Sequence, residues 1–393
     1  MLKCGIIGFG GLGKVHFKNL SKMEEEGLGV KVAALCDVEE SKFTARTATN
    51  LGDGAAAADT SRCSLYADAR EMLSREALDF AVIAVPTYLH ERIAVAALEA
   101  GAHVFCEKPM ARASAQAQNM LGKAKAAGRL LMIGQCLRYW PEYAKLKSLV
   151  ESGEYGRVVR ADFSRLSAPP KWSWQDWYLD YEKSGGAALD LHVHDIDMVN
   201  WLFGAPQSVS SEATHAICKF DSITTRYQYP GKLVTATADW GLAESFPFGM
   251  GFLVRFERAT AAMGAQGLRV YGENGECAAE GSNGADAAGG AGSAGVAGGK
   301  GGKGSAVGAT GGKDGADTAG GAGSAGSAAP HSELPALPTA DAYYNELADF
   351  IRCINDGASI TVNPPESSLL TLRIALAEQE SANRGGAPVG IGA

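Results

Sequence analysis

The chain has 393 residues, 46% hydrophobic and 20% charged, with a formal net charge of −8. That length carries two domains with separate cores, and an acidic chain without a basic patch offers no nucleic-acid surface. No apolar run nears the roughly 20 residues that span a bilayer, and eight cysteines without a C-x-x-C pair read as reduced thiols, so a cytoplasmic protein without a membrane partner is expected.

In chain order, the apolar run Cys4-Gly5-Ile6-Ile7 leads into Gly8-Phe9-Gly10-Gly11-Leu12-Gly13, and residues 14–23 can be helical. A strand that opens so early leaves no room for a signal peptide. Strand, G-x-G-x-x-G, helix is the context of a dinucleotide-binding turn. Gly8 allows the tight turn, Gly10 the approach of a pyrophosphate, and Gly13 the packing of helix on strand. The helix N-terminus then offers N–H groups and a positive dipole end to phosphate. A second strand, 30–36, ends in Asp37, placed to accept the ribose hydroxyls of NAD and to repel the 2′-phosphate of NADP. An ordinary loop aspartate is the other reading of Asp37.

A helix is expected over 41–51, a strand over 64–66 and a helix over 68–77. The continuous apolar run 80–85 reads as a strand buried on both faces. It stops at Pro86-Thr87. A helix over 90–100, a strand over 103–106, a helix over 114–127 capped by Ser114, and a strand over 130–133 follow. This alternation predicts an α/β Rossmann domain, a doubly wound parallel sheet over 1–135, with ligands at the carboxyl ends of its strands. Gly8, Asp37, Pro86, Glu107-Lys108-Pro109 and Gln135 all fall at such ends.

From 136 the rhythm changes. Helices are expected over 141–152 and 186–203, and strands over 157–166, 208–217, 223–229, 233–240, 252–258 and 268–271. Residues 136–393 therefore read as an α+β domain with an open mixed or antiparallel sheet. Within it, about 278–330 is nearly all Gly, Ala and Ser, a composition that cannot bury enough apolar surface to order itself, and is expected to be a disordered insert. Helices return over 340–356 and 366–382.

Two stretches carry ionisable groups suited to chemistry. Lys108 follows a parallel strand at the nicotinamide end of the expected crevice; a solvated surface lysine is the alternative. In Asp190-Leu191-His192-Val193-His194-Asp195-Ile196-Asp197, helical spacing puts Asp190, His194 and Asp197 on one face and His192 on another. A His–Asp pair on one face suits a general base with an orienting carboxylate. His-x-His also resembles a metal-ligand pair, but a helix separates the two rings, and no metal is expected. A capped helix with a satisfied histidine remains the plain alternative.

Together, GFGGLG, Asp37, VPTYLH at 85–90, CEKP at 106–109 and SGGAALDLHVHDIDMVNWL at 184–202 resemble the Gfo/Idh/MocA oxidoreductases. The resemblance covers all but the Gly/Ala segment, and departs where the family's triple glycine is Gly185-Gly186-Ala187. It implies a homodimer or homotetramer built on the open sheet. It implies Lys108, Asp190 and His194 as the catalytic trio. NAD contacts would come from Gly8, Phe9, Gly10, Gly11, Leu12, Gly13, Asp37, Pro86, Thr87, His90, Glu107 and Lys108. Arg138, Tyr139 and the stretch from Arg165 to Trp177 would face a sugar or cyclitol alongside the trio. The implied reaction moves a hydride between a secondary hydroxyl and NAD, with His194 taking the proton and Lys108 favouring alkoxide character. Two other activities fit the resemblance: a glycoside hydrolase that retains NAD, and a non-catalytic NAD-binding regulator.

Overall fold

The first strand of the computed structural model, β1 (Leu2–Ile7), lies at the centre of a six-stranded parallel sheet. The structure describes residues 1–45, 59–272, 275–278, 339 and 341–392. Helix α1 (Gly11–Glu25) follows β1, then β2 (Val30–Cys36), β3 (Ser64–Tyr66), α2 (Ala69–Arg75) and β4 (Phe80–Ile83). After these come α3 (His90–Glu99), β5 (His103–Glu107), α4 (Ser114–Ala127) and β6 (Leu131–Gly134). The strand order is β3-β2-β1-β4-β5-β6, and a crevice opens where it reverses, beyond the carboxyl ends of β1 and β4. β4 and β6 are buried at every residue, as parallel strands covered on both faces must be.

Two local expectations need correction. In place of the helix over 41–51 the described residues show one 3-10 turn, Glu40–Phe43, because Phe43 turns into the core against Phe9, ring centroids 5.9 Å apart; residues 46–58 lie outside the described residues. Ser114 is the first residue of α4 rather than its cap, which is Ala113.

The second sheet has nine strands. Helix α5 (Pro141–Ser152) precedes β7 (Val158–Leu166), and three helices follow: α6 (Tyr181–Ser184), α7 (Ala187–Asp190) and α8 (Val193–Phe203). Then come β8 (Ser208–Thr214), β9 (Ser222–Tyr229), β10 (Lys232–Asp239), β11 (Gly249–Phe256), β12 (Ala259–Gly264), β13 (Gly267–Gly272) and β14 (Gly275–Ala278). Helices α9 (Ala342–Asp356) and α10 (Pro365–Asn383) and β15 (Val389–Gly390) complete the chain. The order is β14-β13-β12-β11-β7-β10-β9-β8-β15, and β7 pairs parallel with β10 while its other neighbour, β11, is antiparallel. Burial alternates along β9, with Ile223, Thr225, Tyr227 and Tyr229 turned inward. The expected insert at about 278–330 lies almost wholly outside the described residues.

The helix expected over 186–203 is not continuous. The His192 amide donates to Ala187 O at 2.8 Å, five residues back, which inserts a wide turn between α7 and α8. The chain's last helices also cross back: α9 packs on α1, β5 and β6, and α10 on α4, β6, α8 and β8. The described residues thus form one unit. No described helix is long and apolar enough to cross a membrane.

Candidate active site

Geometry at the glycine turn matches the three steric demands. Gly8, at φ +92°, has no room for a Cβ, which would stand 2.4 Å from Ala84 O; at Gly13 a Cβ would stand 1.9 Å from Gly8 O. Gly10 faces open space, with nothing within 4 Å of its missing Cβ. Helix α1 begins at once, with no side-chain cap and no acidic residue in its first turn. Its first N–H groups therefore have no intrahelical or side-chain claim on them, as an anion site requires. The Phe9 ring is fully buried against Phe17 and Phe43, so Phe9 offers the crevice only its backbone. Asp37 accepts from the amides of Phe9 (2.8 Å) and Glu39 (2.9 Å), which orients its carboxylate beside the turn. These residues fit a dinucleotide: open Gly10 and the α1 terminus for pyrophosphate, Asp37 for ribose.

Two residues expected to touch the cofactor are engaged elsewhere. His90 is 1% exposed; its Nδ1 lies 2.9 Å from Pro109 O and its Nε2 2.9 Å from Val85 O, so the ring braces the ends of β4 and β5 together. The Glu107 side chain, also buried, is engaged by α1, Oε1 lying 2.6 Å from His16 Nε2. Pro86 and Thr87 open the 3-10 turn after β4, where Thr87 Oγ1 is buried without a protein partner.

Lys108 leaves β5 and meets the end of α7. Its Nζ lies 3.0 Å from Asp190 O and 3.3 Å from Asp190 Oδ1, and both side chains are nearly enclosed. Burial raises the Asp190 carboxyl above the ordinary aspartate range, and Lys108 opposes that rise. His194 lies in the first turn of α8, half-buried, with Nδ1 enclosed and unpartnered. Burial, then the Lys108 and Arg165 charges, hold its imidazole well below 6.5. A neutral ring at neutral pH is the form that can accept a proton. The turn between α7 and α8 sends His192 the other way: fully buried, its Nε2 is 3.3 Å from Glu378 Oε2 on α10 and 3.4 Å from Tyr227 Oη. The two histidines do not converge on one point, which is the geometry a shared metal ion would need.

The structure also corrects the substrate-facing set. Arg138 is 2% exposed and fully engaged: Nε and Nη2 donate to Asp197 at 2.7 Å each, Nη1 to Val362 O and Nη2 to Ser367 Oγ. It ties the turn after β6 to α8 and α10 instead of facing a substrate, and it takes Asp197 away from the face of Asp190 and His194. Tyr139 is likewise buried, donating to Asp349. Arg165 is 3% exposed and pairs with Asp195 at 3.2 Å, so it acts on His194 through its charge. Trp177 is half-buried and lies over Tyr178 at 4.1 Å, part of an aromatic wall with Trp172 and Trp240. Trp174, within the 165–177 stretch expected to face the substrate, donates from Nε1 to Glu39 Oε1 at 2.7 Å and so carries this wall to the loop beside Asp37. Sequence reasoning missed Asp195 and Glu378, buried acids paired with Arg165 and His192 far away in the chain, and Glu346, buried without a protein partner.

Comparison with known proteins agrees with this geometry. Residues 2–135 match the oxidoreductase family model with an NAD-binding Rossmann fold, and residues 143–278 match the GFO/IDH/MocA C-terminal domain. The chain belongs to the GFO/IDH/MocA oxidoreductase family. The myo-inositol 2-dehydrogenase of Thermotoga maritima is 32% identical over 206 residues, 52% of this chain and 55% of that one. The uncharacterized oxidoreductase YrbE of Bacillus subtilis is 28% identical over 280 residues, 70% and 73% of the two chains. These matches span about half to three-quarters of the relatives' lengths. Levoglucosan dehydrogenase, solved with NADH and levoglucosan, shares the fold at a TM-score of 0.73 and 18% identity, covering 100% of both chains. As a GFO/IDH/MocA protein the chain is an NAD-binding oxidoreductase.

Proposed function

We propose that this oxidoreductase oxidises a secondary hydroxyl of a sugar or cyclitol, with Lys108, Asp190 and His194 as its catalytic residues. The observation that carries this reading is the meeting of Lys108 and Asp190 at the carboxyl end of the Rossmann sheet, beside a neutral His194. NAD, when bound, accepts the hydride. His194 takes the hydroxyl proton. Lys108 donates a hydrogen bond to the same oxygen and stabilises its alkoxide character, the kind of preorganised electrostatic help that mutagenesis values at roughly 10²–10³ in kcat. Asp190 holds the ammonium in place and balances its charge. The aromatic wall of Trp172, Trp177 and Tyr178 supplies flat apolar faces against which a sugar ring can stack. NAD is favoured over NADP, because the Asp37 carboxylate after β2, oriented by the Phe9 and Glu39 amides, would repel a 2′-phosphate. The outward face of the nine-stranded sheet, with Leu233, Leu253 and Tyr271 exposed, is the surface for self-association into a dimer or tetramer.

A panel of sugars, inositols, their phosphates and glycosides, followed by NADH formation, tests the reading. It expects stoichiometric NADH with at least one polyol. Product formed without net NADH would instead mark an enzyme that retains its cofactor through a redox-neutral cycle.

A further inference from the structure

Behind Lys108 lies a set of buried ionisable groups that the reaction does not use. Glu107 Oε1 accepts from His16 Nε2 at 2.6 Å, and Glu107 Oε2 lies 3.2 Å from the Lys108 amide. The carboxylate occupies space left by Gly134 on β6, where a Cβ would stand 3.3 Å from it. A third residue, Glu346 of α9, is 0% exposed, and neither of its carboxyl oxygens has a protein partner. Ligand atoms of His16, Glu107 and Glu346 all lie within 4.8 Å of one another.

Two carboxyl groups and one imidazole therefore share a closed space, and no described lysine or arginine pairs with Glu346. Either a cation or a proton must offset the second carboxyl group. A structural metal ion usually takes four donors, and only three converge here. A proton needs no further ligand. We propose that Glu346 is held as a neutral carboxylic acid and, with His16, forms a positioning set behind Glu107 that keeps Lys108 aimed at Asp190.

Of the groups facing Glu346, the two that carry negative charge, Glu107 and Asp341, favour the neutral form. Glu107 comes from β5 and Asp341 stands at the start of its own helix; His16 from α1, Cys136 from the turn after β6 and Tyr343 complete the surroundings. Burial first, then the Glu107 and Asp341 charges, holds the Glu346 carboxyl well above the ordinary glutamate value of 4.5. The sign follows. A carboxyl group raised on folding contributes its full share of stability below 4.5, and loses it as pH rises toward the folded value. Ionised, it would repel Glu107 and loosen the carboxylate from His16 and the Lys108 amide.

This inference rests on the reading of Lys108 as catalytic, and its test separates the two. Melting temperature of the full-length protein is followed from mildly acidic to alkaline pH for wild type, Glu346→Gln and Glu346→Ala. Wild type should lose stability as pH rises, and Glu346→Gln, neutral at every pH, should flatten that loss. With the substrate found in the panel, Glu346→Ala should lower kcat roughly tenfold, the size of effect seen when supporting hydrogen bonds are removed. Apparent KM for NAD should hold steady, and Glu346→Gln should recover most of the rate. A Gln variant less stable than wild type at every pH overturns the proposal. So does a wild-type protein that carries a stoichiometric metal ion after dialysis against Mn²⁺ or Zn²⁺. Equal activity of the Ala and Gln variants would also overturn it. If Lys108→Met kept full activity, the functional reading would fail while the melting contrast still decided the state of Glu346.

Discussion

Replacing Arg138 by methionine, similar in length but without charge, separates a structural arginine from a substrate-binding one. In the structure Arg138 donates four hydrogen bonds, two of them to Asp197, and the pair is about 1% exposed on both sides. Without it Asp197 keeps, among the described residues, only the Thr371 hydroxyl, at 2.9 Å, as a buried carboxylate with no described cation. Breaking a buried pair by removing one partner typically costs about 3–5 kcal/mol. At about 2.1 cal/mol/K of unfolding entropy per residue, a chain of this size should fall in melting temperature by roughly 4–6 °C. Differential scanning calorimetry reads the first number, and substrate titration below the melting range reads the second. Arg138→Met should melt earlier with KM for the polyol within about threefold of wild type, less than 0.7 kcal/mol. An unchanged melting temperature with KM raised tenfold or more would refute the reasoning and return Arg138 to the substrate.

Three further outcomes follow from the same geometry. His192→Ala should keep kcat within about threefold while losing stability, since its ring packs on Glu378 and Tyr227; loss of activity in a folded variant would sink the assignment of His194 alone. The acid limb of kcat/KM for oxidation should not be that of an ordinary histidine: His194, held well below 6.5, stays neutral as pH falls through 6.5, and a limb centred at or above 6.5 would contradict its role. Asp37→Ser should gain NADP activity and narrow a preference for NAD of at least about tenfold, or ~1.4 kcal/mol; equal kcat/KM with the two cofactors in wild type would show that Asp37 does not meet the 2′-position.

Much of the fold was legible where its signals are local. The strand at 64–66, the helix at 141–152 and the buried run that became β4 announce themselves by period, flanking Gly or Pro, and apolar content. β12 did not: Ala-Thr-Ala-Ala-Met-Gly has little β propensity, and its strand is made by pairing with β11 and β13 on either side. The break at His192 was invisible for a related reason, since a single wide turn leaves the apolar pattern on both sides intact. Lys108, Asp190 and His194 stood out as titratable groups within a motif. Arg138, His90 and Glu107 also carry polar chemistry, but only the fold reveals partners at Asp197, Pro109 and His16, the first and last 59 and 91 residues away. Motif position placed those side chains at the crevice. Hydrogen bonding turned them inward.

The central claim is that Lys108 and His194 act on the substrate and not on cofactor affinity. Single-turnover reduction of bound NAD, read by NADH fluorescence with saturating polyol, tests it in Lys108→Met and His194→Ala. Each variant should be slowed by roughly 10²-fold or more, the usual size of acid–base and oxyanion effects. NAD affinity by calorimetry should move by less than about threefold. Turnover within threefold of wild type in either variant, or a loss wholly explained by weaker NAD binding, would contradict the account.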